Sequence, residues 1–335
     1  MKKLNLLMFP AILAMASCGT AATSSGASSQ ASETSSPEEH SAVPVTLKVA
    51  CPAGAPAVAF YQHIQESEQY LEINSNASNV VGYLTENSGK DIVVAPTNAG
   101  ITSIVKKSAP YKIAATITFG NFYVASTGND EDKTMNNDDY VVLFQQNNVP
   151  DKLFNYVYGD LGLTNIHYVN AASDAAKALI SGVDSSNDNA KVDYVLMAEP
   201  ALSTALSKNA NASEYSNLQT AFAAKSNDMA LTQASIFVSN SADEISVASY
   251  LKDLETAVKD FLGNPTVIDS YLNGLEEEAI TSKFNASAAV LKTMASNDNR
   301  MGLGFVEAAE NKDAIANFMK IFGMESVSEE VYFNY

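Results

Sequence analysis

Ile92-Val93-Val94-Ala95-Pro96-Thr97-Asn98-Ala99-Gly100 is the stretch that decides how this chain folds. Its first four residues form an unbroken apolar run, the pattern of a strand buried on both faces in a parallel sheet. Pro96 ends the run, and Thr97 or Asn98 is placed to cap a helix that begins at once. Strand, short loop and helix is the repeating step of an α/β sheet. That step recurs upstream, where Thr46 to Ala50 reads as a strand and a helix is expected over Ala57 to Gln65. The loop between them is Cys51-Pro52-Ala53-Gly54-Ala55-Pro56. Downstream, Lys112 to Thr118 and Phe122 to Ser126 read as strands joined through Phe119-Gly120-Asn121.

A second block begins after the polar, acidic stretch Gly128 to Asp139. Tyr140 to Phe144 reads as a strand, and Gln145 to Pro150 as a loop. The helix after it turns Leu153, Phe154, Val157 and Leu161 to one face. Ile166 to Val169 is the next strand, Ser173 caps a helix with Ala176, Leu179 and Ile180 inward, and Val192 to Met197 is a third strand closed by Ala198-Glu199-Pro200. Ala234 to Ser239 reads as a strand returning to the first block. A long helix from Asp243 to Leu262 then presents Ile245, Ala248, Leu251, Leu254 and Val258 on one side, and Gly263-Asn264-Pro265 stops it. The rest, to about Phe322, reads as helices, with Met301 to Val306 extended. The sum is an α/β fold of two lobes, residues 46–123 with 235–335 and residues 124–234, joined by two hinge crossings. A double crossing permits closure around a ligand.

Five segments carry a family resemblance in order: Cys51 to Pro56, Val94 to Asn98, Phe144 to Leu153, Val169 to Asp174 and Tyr194 to Pro200. Together they resemble the solute-binding lipoproteins of ABC importers, in the nitrate/sulfonate/taurine/pyrimidine-precursor group with the type II periplasmic-binding fold. The resemblance covers about residues 46–322. It implies a cleft between two lobes, a small organic solute (a sulfonate, a nitrate-like anion or a pyrimidine precursor), and delivery to an ABC permease with its ATPase. The alternative is a surface lipoprotein using the same fold as an adhesin or signalling receptor. Enzyme chemistry is not expected. The chain has no Gly-x-Ser-x-Gly elbow and no phosphate-binding Walker loop, and it lacks the His and Cys of the pyrimidine-synthesising relatives.

The N-terminus agrees. Lys2 and Lys3 precede the apolar run Leu4 to Ala16, and small residues lead into Cys18. The run is shorter than the roughly 20 apolar residues a membrane span needs, so residues 1–17 read as a lipoprotein signal peptide. Cys18 becomes the lipidation site, carrying palmitate-class acyl chains. Gly19 to Val45, rich in Ser, Ala, Thr and Glu, reads as a flexible tether. The expected place is the outer face of the cell membrane, held through the lipid alone.

Composition narrows the partners. The formal net charge is −18, and losing Lys2 and Lys3 with the signal makes it more negative. Such a chain does not seek nucleic acid or anionic lipid, and a monomer is expected. Cys51 is the thiol left after lipidation, which rules out an intrachain disulfide, and it reads as a small buried hydrophobe. His40, His63 and His167 lie far apart, so no metal site and no cofactor is expected. Asp130-Glu131-Asp132 lacks the glycine that a calcium loop wants at its sixth position and reads as solvated.

In open α/β sheets ligands sit at the carboxyl ends of strands, near helix N-termini. That rule gives Gly54, Ala55, Thr97, Asn98, Asn121, Gln146, Asn147, Ser173 and Glu199 as candidate ligand-binding residues, with Phe60, Phe119 and Tyr123 as stacking platforms. Each has a plainer reading. Thr97 and Ser173 serve as helix caps, Phe60 as core, Gln146 and Asn147 as loop ties and Glu199 as a solvated acid. Arg300, the sole arginine, is read as an ion-pair residue or as a carboxylate or sulfonate ligand. A cleft poor in Arg and rich in Asn, Gln and Tyr inclines toward a neutral or zwitterionic molecule over an inorganic anion.

Overall fold

The computed structural model describes residues 46–335 apart from 131, 145, 227 and 297. The expected signal peptide, Cys18 and tether lie outside the described residues, as do Glu131 and Gln145 of the loops above.

Two sheets organise the chain. The first contains β1 (Val49–Pro52), β2 (Leu71–Asn74), β3 (Ile92–Pro96) and β4 (Tyr111–Thr118). The second contains β5 (Phe122–Ser126), β6 (Tyr140–Phe144), β7 (Asn165–Val169), β10 (Tyr194–Ala198) and β11 (Ser213–Asn217), with β8 (Val183–Asp184) and β9 (Ala190–Lys191) as a small separate ribbon. The chain then returns to the first sheet with β12 (Ala234–Ser239) and β13 (Leu303–Glu307). The spatial orders are β13-β4-β12-β3-β1-β2 and β11-β5-β10-β6-β7. β1 runs parallel to β2 and β3, while β12 enters antiparallel between β3 and β4. In the second sheet β6 is parallel to β7 and β10, and β5 is antiparallel to β10 and β11.

The apolar run at Ile92 is buried on both faces, as its composition requires. Ile92 and Val94 join one core with Val49, Cys51, Ile236 and Val238. Val93 and Ala95 join another with Ala50 and Phe237. Successive strand residues point to opposite faces, so each face needs its own cover. Helix Glu244–Gly263 covers the first with Val247, Leu251, Leu254, Val258 and Phe261. Helices Thr97–Lys107 and Lys312–Lys320 cover the second with Ile101, Ile315 and Met319. The second sheet shares one core, in which Val141 to Phe144 pack with Leu153, Phe154, Leu179, Leu202 and Phe222. Phe318, on the helix whose Ile315 and Met319 cover the first sheet, reaches into that second core.

Several local expectations are corrected. The helix expected over Ala57 to Gln65 is a four-residue turn, Ala55–Val58, followed by a 3-10 turn, Tyr61–His63. Its residues serve as core plugs more than as a helix: Phe60 and Tyr61 are wholly buried. Helix Thr97–Lys107 starts after Pro96 with no side-chain cap, and helix Ala172–Ser181 starts after Ala171 and not at Ser173. Ile245 points outward, 73% exposed, and Val247 takes the inward position. β2, β8, β9 and β11 have no counterpart in the sequence reading.

Gly100 shows how tightly helix Thr97–Lys107 sits on β12. A Cβ built there falls within the Phe237 ring, which is wholly buried and has nowhere to turn. Overpacking of this kind costs about 1–3 kcal/mol. Gly100→Ala is expected to lower unfolding stability by that amount in urea titration, with an unchanged slope.

Candidate functional site

A cavity of about 130 Å³ lies at the carboxyl ends of strands from both sheets. The first lobe contributes Pro52 to Pro56 after β1, Ser75, Asn76 and Ala77 after β2, Pro96 at the end of β3, and Asn285. The second contributes Phe144, Asn148, Val149 and Pro150 after β6, Asn170, Ala171 and Ala172 after β7, and Ala198 to Ala201 after β10. The two crossing segments supply Asn121, Phe122, Gln233 and Ala234. A cavity of about 150 Å³ takes a benzene ring, so this one suits a small solute.

The crossings are clasped to each other. The Gln233 side-chain amide donates to Asn121 Oδ1 at 2.7 Å, and the Asn121 backbone N–H donates to Gln233 Oε1 at 3.2 Å. Asn121 Nδ2 also donates to the Glu199 carbonyl at 2.7 Å, while the Glu199 N–H donates to the Asn121 carbonyl at 2.8 Å. Both carboxamides are buried, and these bonds use most of their capacity.

Glu199 lines the cavity, yet its carboxylate is fully engaged. It accepts from the Ser203 N–H at 3.0 Å, the Ser203 hydroxyl at 2.8 Å and Arg300 Nε at 3.0 Å, with a second guanidinium nitrogen at 2.9 Å. Its side chain has no exposed surface, whereas Arg300 keeps a quarter of its own. The same Nη2 that reaches Glu199 also pairs with Glu214 at 2.7 Å. The guanidinium lies over the Tyr123 ring, 4.4 Å from its centre. Burial opposes the Arg300 charge, but bonds to Glu214 and Glu199 leave its pKa above the usual arginine value. Burial pushes the Tyr123 hydroxyl up to about 12. Arg300, in the loop before β13, thereby ties the second sheet to the first.

The helix starts around the cavity are largely occupied by the protein itself. Asn148 caps helix Val149–Tyr158 by accepting from the Val149 N–H, and Pro150 has no N–H to offer. Asp151 sits buried in that first turn, accepting from the Asn147 N–H at 2.7 Å. Asn76 caps helix Ala77–Val81, Pro56 opens the turn Ala55–Val58, and Glu199 caps helix Ala201–Leu206 through Ser203. Helix Ala172–Ser181 begins without a side-chain cap.

Of the residues that sequence reasoning proposed, Gly54, Ala55, Asn121 and Glu199 line the cavity. Phe60 is in the first core, and Thr97 is buried with its hydroxyl 2.7 Å from that of Ser235. Asn98 is buried off the cavity with its Oδ1 unpartnered, and Phe119 lies against Gly304. Gln146, Asn147 and Ser173 are exposed and outside the lining. Tyr123 stacks on Arg300, not on the cavity. The reading missed Asn76, Asn148, Asn170, Gln233 and Asn285. Asn148 and Asn170 stand at the strand ends the carboxyl-end rule selects, so that signal was available. Asn285 arrives from a distant helix and had none. Cys51 is wholly buried, and burial raises its thiol pKa. His63 pairs with Glu66, and His167 with Asp184. Among the described residues no group of three or more metal-ligating side chains forms.

No family model matches the chain, and no curated protein matches it. Solved structures do. An ABC transporter protein from Parabacteroides distasonis is 18% identical, with a TM-score of 0.66 over 86% of this chain and 99% of its own. The periplasmic aliphatic sulphonate binding protein of Escherichia coli is 12% identical, with a TM-score of 0.58 over 86% of this chain and 92% of its own. A Candida albicans protein described as having the generic periplasmic binding protein fold is 13% identical, with a TM-score of 0.52 over 86% and 93%. At such identities the likeness establishes the fold: this chain has the periplasmic-binding architecture.

Removing one partner of a buried ion pair costs about 3–5 kcal/mol. Arg300→Met is expected near the lower end, because the stranded Glu199 carboxylate keeps its two bonds from Ser203. Glu214→Gln removes only the solvent-facing partner and is expected to cost no more than about 1 kcal/mol. Paired urea titrations of the two variants check this, and equal losses would contradict the assignment of Glu199 as the buried partner.

Proposed function

We propose that the protein is an extracytoplasmic, lipid-anchored solute-binding component of an ABC importer, capturing a small organic solute between its lobes for a membrane permease. The observation that carries this reading is the cavity itself. It is lined from both sheets and both crossings, so a solute seated there touches every part that must move for the lobes to close. Binding then favours the closed arrangement by its differential contacts with the two states. The permease and its ATPase would read that closed surface.

The structural neighbours support the reading, one described as an ABC transporter and another as a binder of aliphatic sulphonates. The site favours binding over catalysis. Its lining acid, Glu199, is held by Ser203 and Arg300, and the Ser203 hydroxyl faces Glu199 and Met294 Sδ. No helix among the described residues is long and apolar enough to cross a membrane. The proposed attachment is the lipid expected on Cys18, and the outer face of the cell membrane is the proposed location.

Two measurements test the proposal. Expressed with its signal, the protein is expected to incorporate labelled palmitate, and Cys18→Ser is expected to abolish both label and membrane retention. A solute present at 100 times its dissociation constant adds about 2.7 kcal/mol of stability. Ala172→Phe, which places a ring in the cavity, is expected to remove that gain while the unliganded melting temperature stays within a few degrees. A gain that survives the ring would put the solute elsewhere.

A further inference from the structure

Two carboxamides on the cavity wall have no work inside the protein. Asn121 and Gln233 bond each other, while Asn76 and Asn148 cap helices. The side chains of Asn170, at the end of β7, and Asn285, on the first lobe, make no hydrogen bond to any described residue. They belong to opposite lobes. Asn285 Nδ2 also lies over Gly54, 3.1 Å from where a Cβ would stand, so this glycine keeps the amide on the wall.

The charges around the cavity are the complementary observation. Glu199 is the charged residue in its lining, and four contacts from Ser203 and Arg300 already surround that carboxylate. Asp151 adds a second buried acid at the start of helix Val149–Tyr158. A sulfonate or nitrate would find no free cation in the lining. An ammonium group would find no free carboxylate. Burying either charge without a partner is strongly unfavourable.

We propose that Asn170 and Asn285 are the specificity-determining side chains of the site, and that its solute is uncharged and carries both hydrogen-bond donors and acceptors. This rests on the solute-binding reading above and narrows it, setting the ligand apart from the sulphonates of the Escherichia coli neighbour. A carboxamide both donates and accepts, so one on each lobe can grip the two ends of such a molecule as the lobes close.

The test uses the purified protein and a pool of polar compounds no larger than a substituted six-membered ring, sorted by charge at neutral pH. Uracil and nicotinamide represent the uncharged class, taurine and alanine the zwitterions, and ethanesulfonate and nitrate the anions. After equilibrium dialysis the retained compounds are identified by mass spectrometry. Asn285→Gly is the informative variant. Asn285 holds φ at 58°, a conformation glycine adopts freely, so the fold is kept while the amide is lost. Asn170→Ala removes an exposed side chain with no bond to lose.

The expected result is retention of an uncharged compound by the parent, weakened roughly three- to tenfold in each variant, as for a lost neutral hydrogen bond. Unchanged melting temperatures would show that the loss is local. Retention of an anion or a zwitterion, or affinity unchanged in both variants, overturns the proposal and leaves the solute-binding reading standing. Retention of nothing from any class counts against the solute-binding reading, and this proposal falls with it.

Discussion

The bond between Asn121 and Gln233 is the constraint on which the rest of the site depends. Phe122 and Leu231 tie the crossings to the second core, but Asn121 and Gln233 between them are polar, and apolar packing alone does not fix their register. The reciprocal amide contact does, and Asn121 extends it to both backbone groups of Glu199. That anchors the turn into helix Ala201–Leu206 and with it one wall of the cavity. A buried polar group left unpaired costs about 1–3 kcal/mol, so the network holds its geometry only while it is complete. A slip of one residue in either crossing would strand several such groups together.

Arg300 acts on the same region from outside. In a chain this acidic, the single guanidinium goes to the one carboxylate that is wholly buried beside the cavity. Lysine would not substitute well, because Arg300 reaches Glu199 and Glu214 at once and lies flat over Tyr123. From the sequence, Glu199 reads as a ligand-binding residue or as a solvated acid. It is buried and paired, not solvated, and its partner stands 101 positions away in the chain. Pairing at that range is invisible to spacing rules.

What was legible follows from burial. Strands covered on both faces, such as Ile92 to Ala95 and Val141 to Phe144, need unbroken apolar runs, and those runs are plain in the sequence. The edge strands are harder. β2 reads Leu-Glu-Ile-Asn and β11 reads Ser-Glu-Tyr-Ser-Asn, with half or more of each sequence polar because one side meets solvent. The site was legible at the level of loops: the carboxyl-end rule selected the turns after β1, β6, β7 and β10. Individual side chains were not, since a one-residue shift moved the lining from Asn147 to Asn148 and from Ser173 to Ala172. Backbone φ decides such shifts: Asn147, in the left-handed region at 64°, directs its N–H at Asp151 and not at the cavity.

The surface charge and the cavity chemistry point the same way. A formal charge of −18 surrounds the molecule with a field that slows the approach of anions and speeds that of cations. A receptor for small anions would gather lysines or arginines around its mouth to reverse that field locally. Here Glu199 is the charged residue in the lining, and Arg300 is occupied in neutralising it. A cation would be drawn in but would find the carboxylate already taken. An uncharged solute meets neither obstacle, and carboxamides on both lobes give it the donors and acceptors it must regain on leaving water.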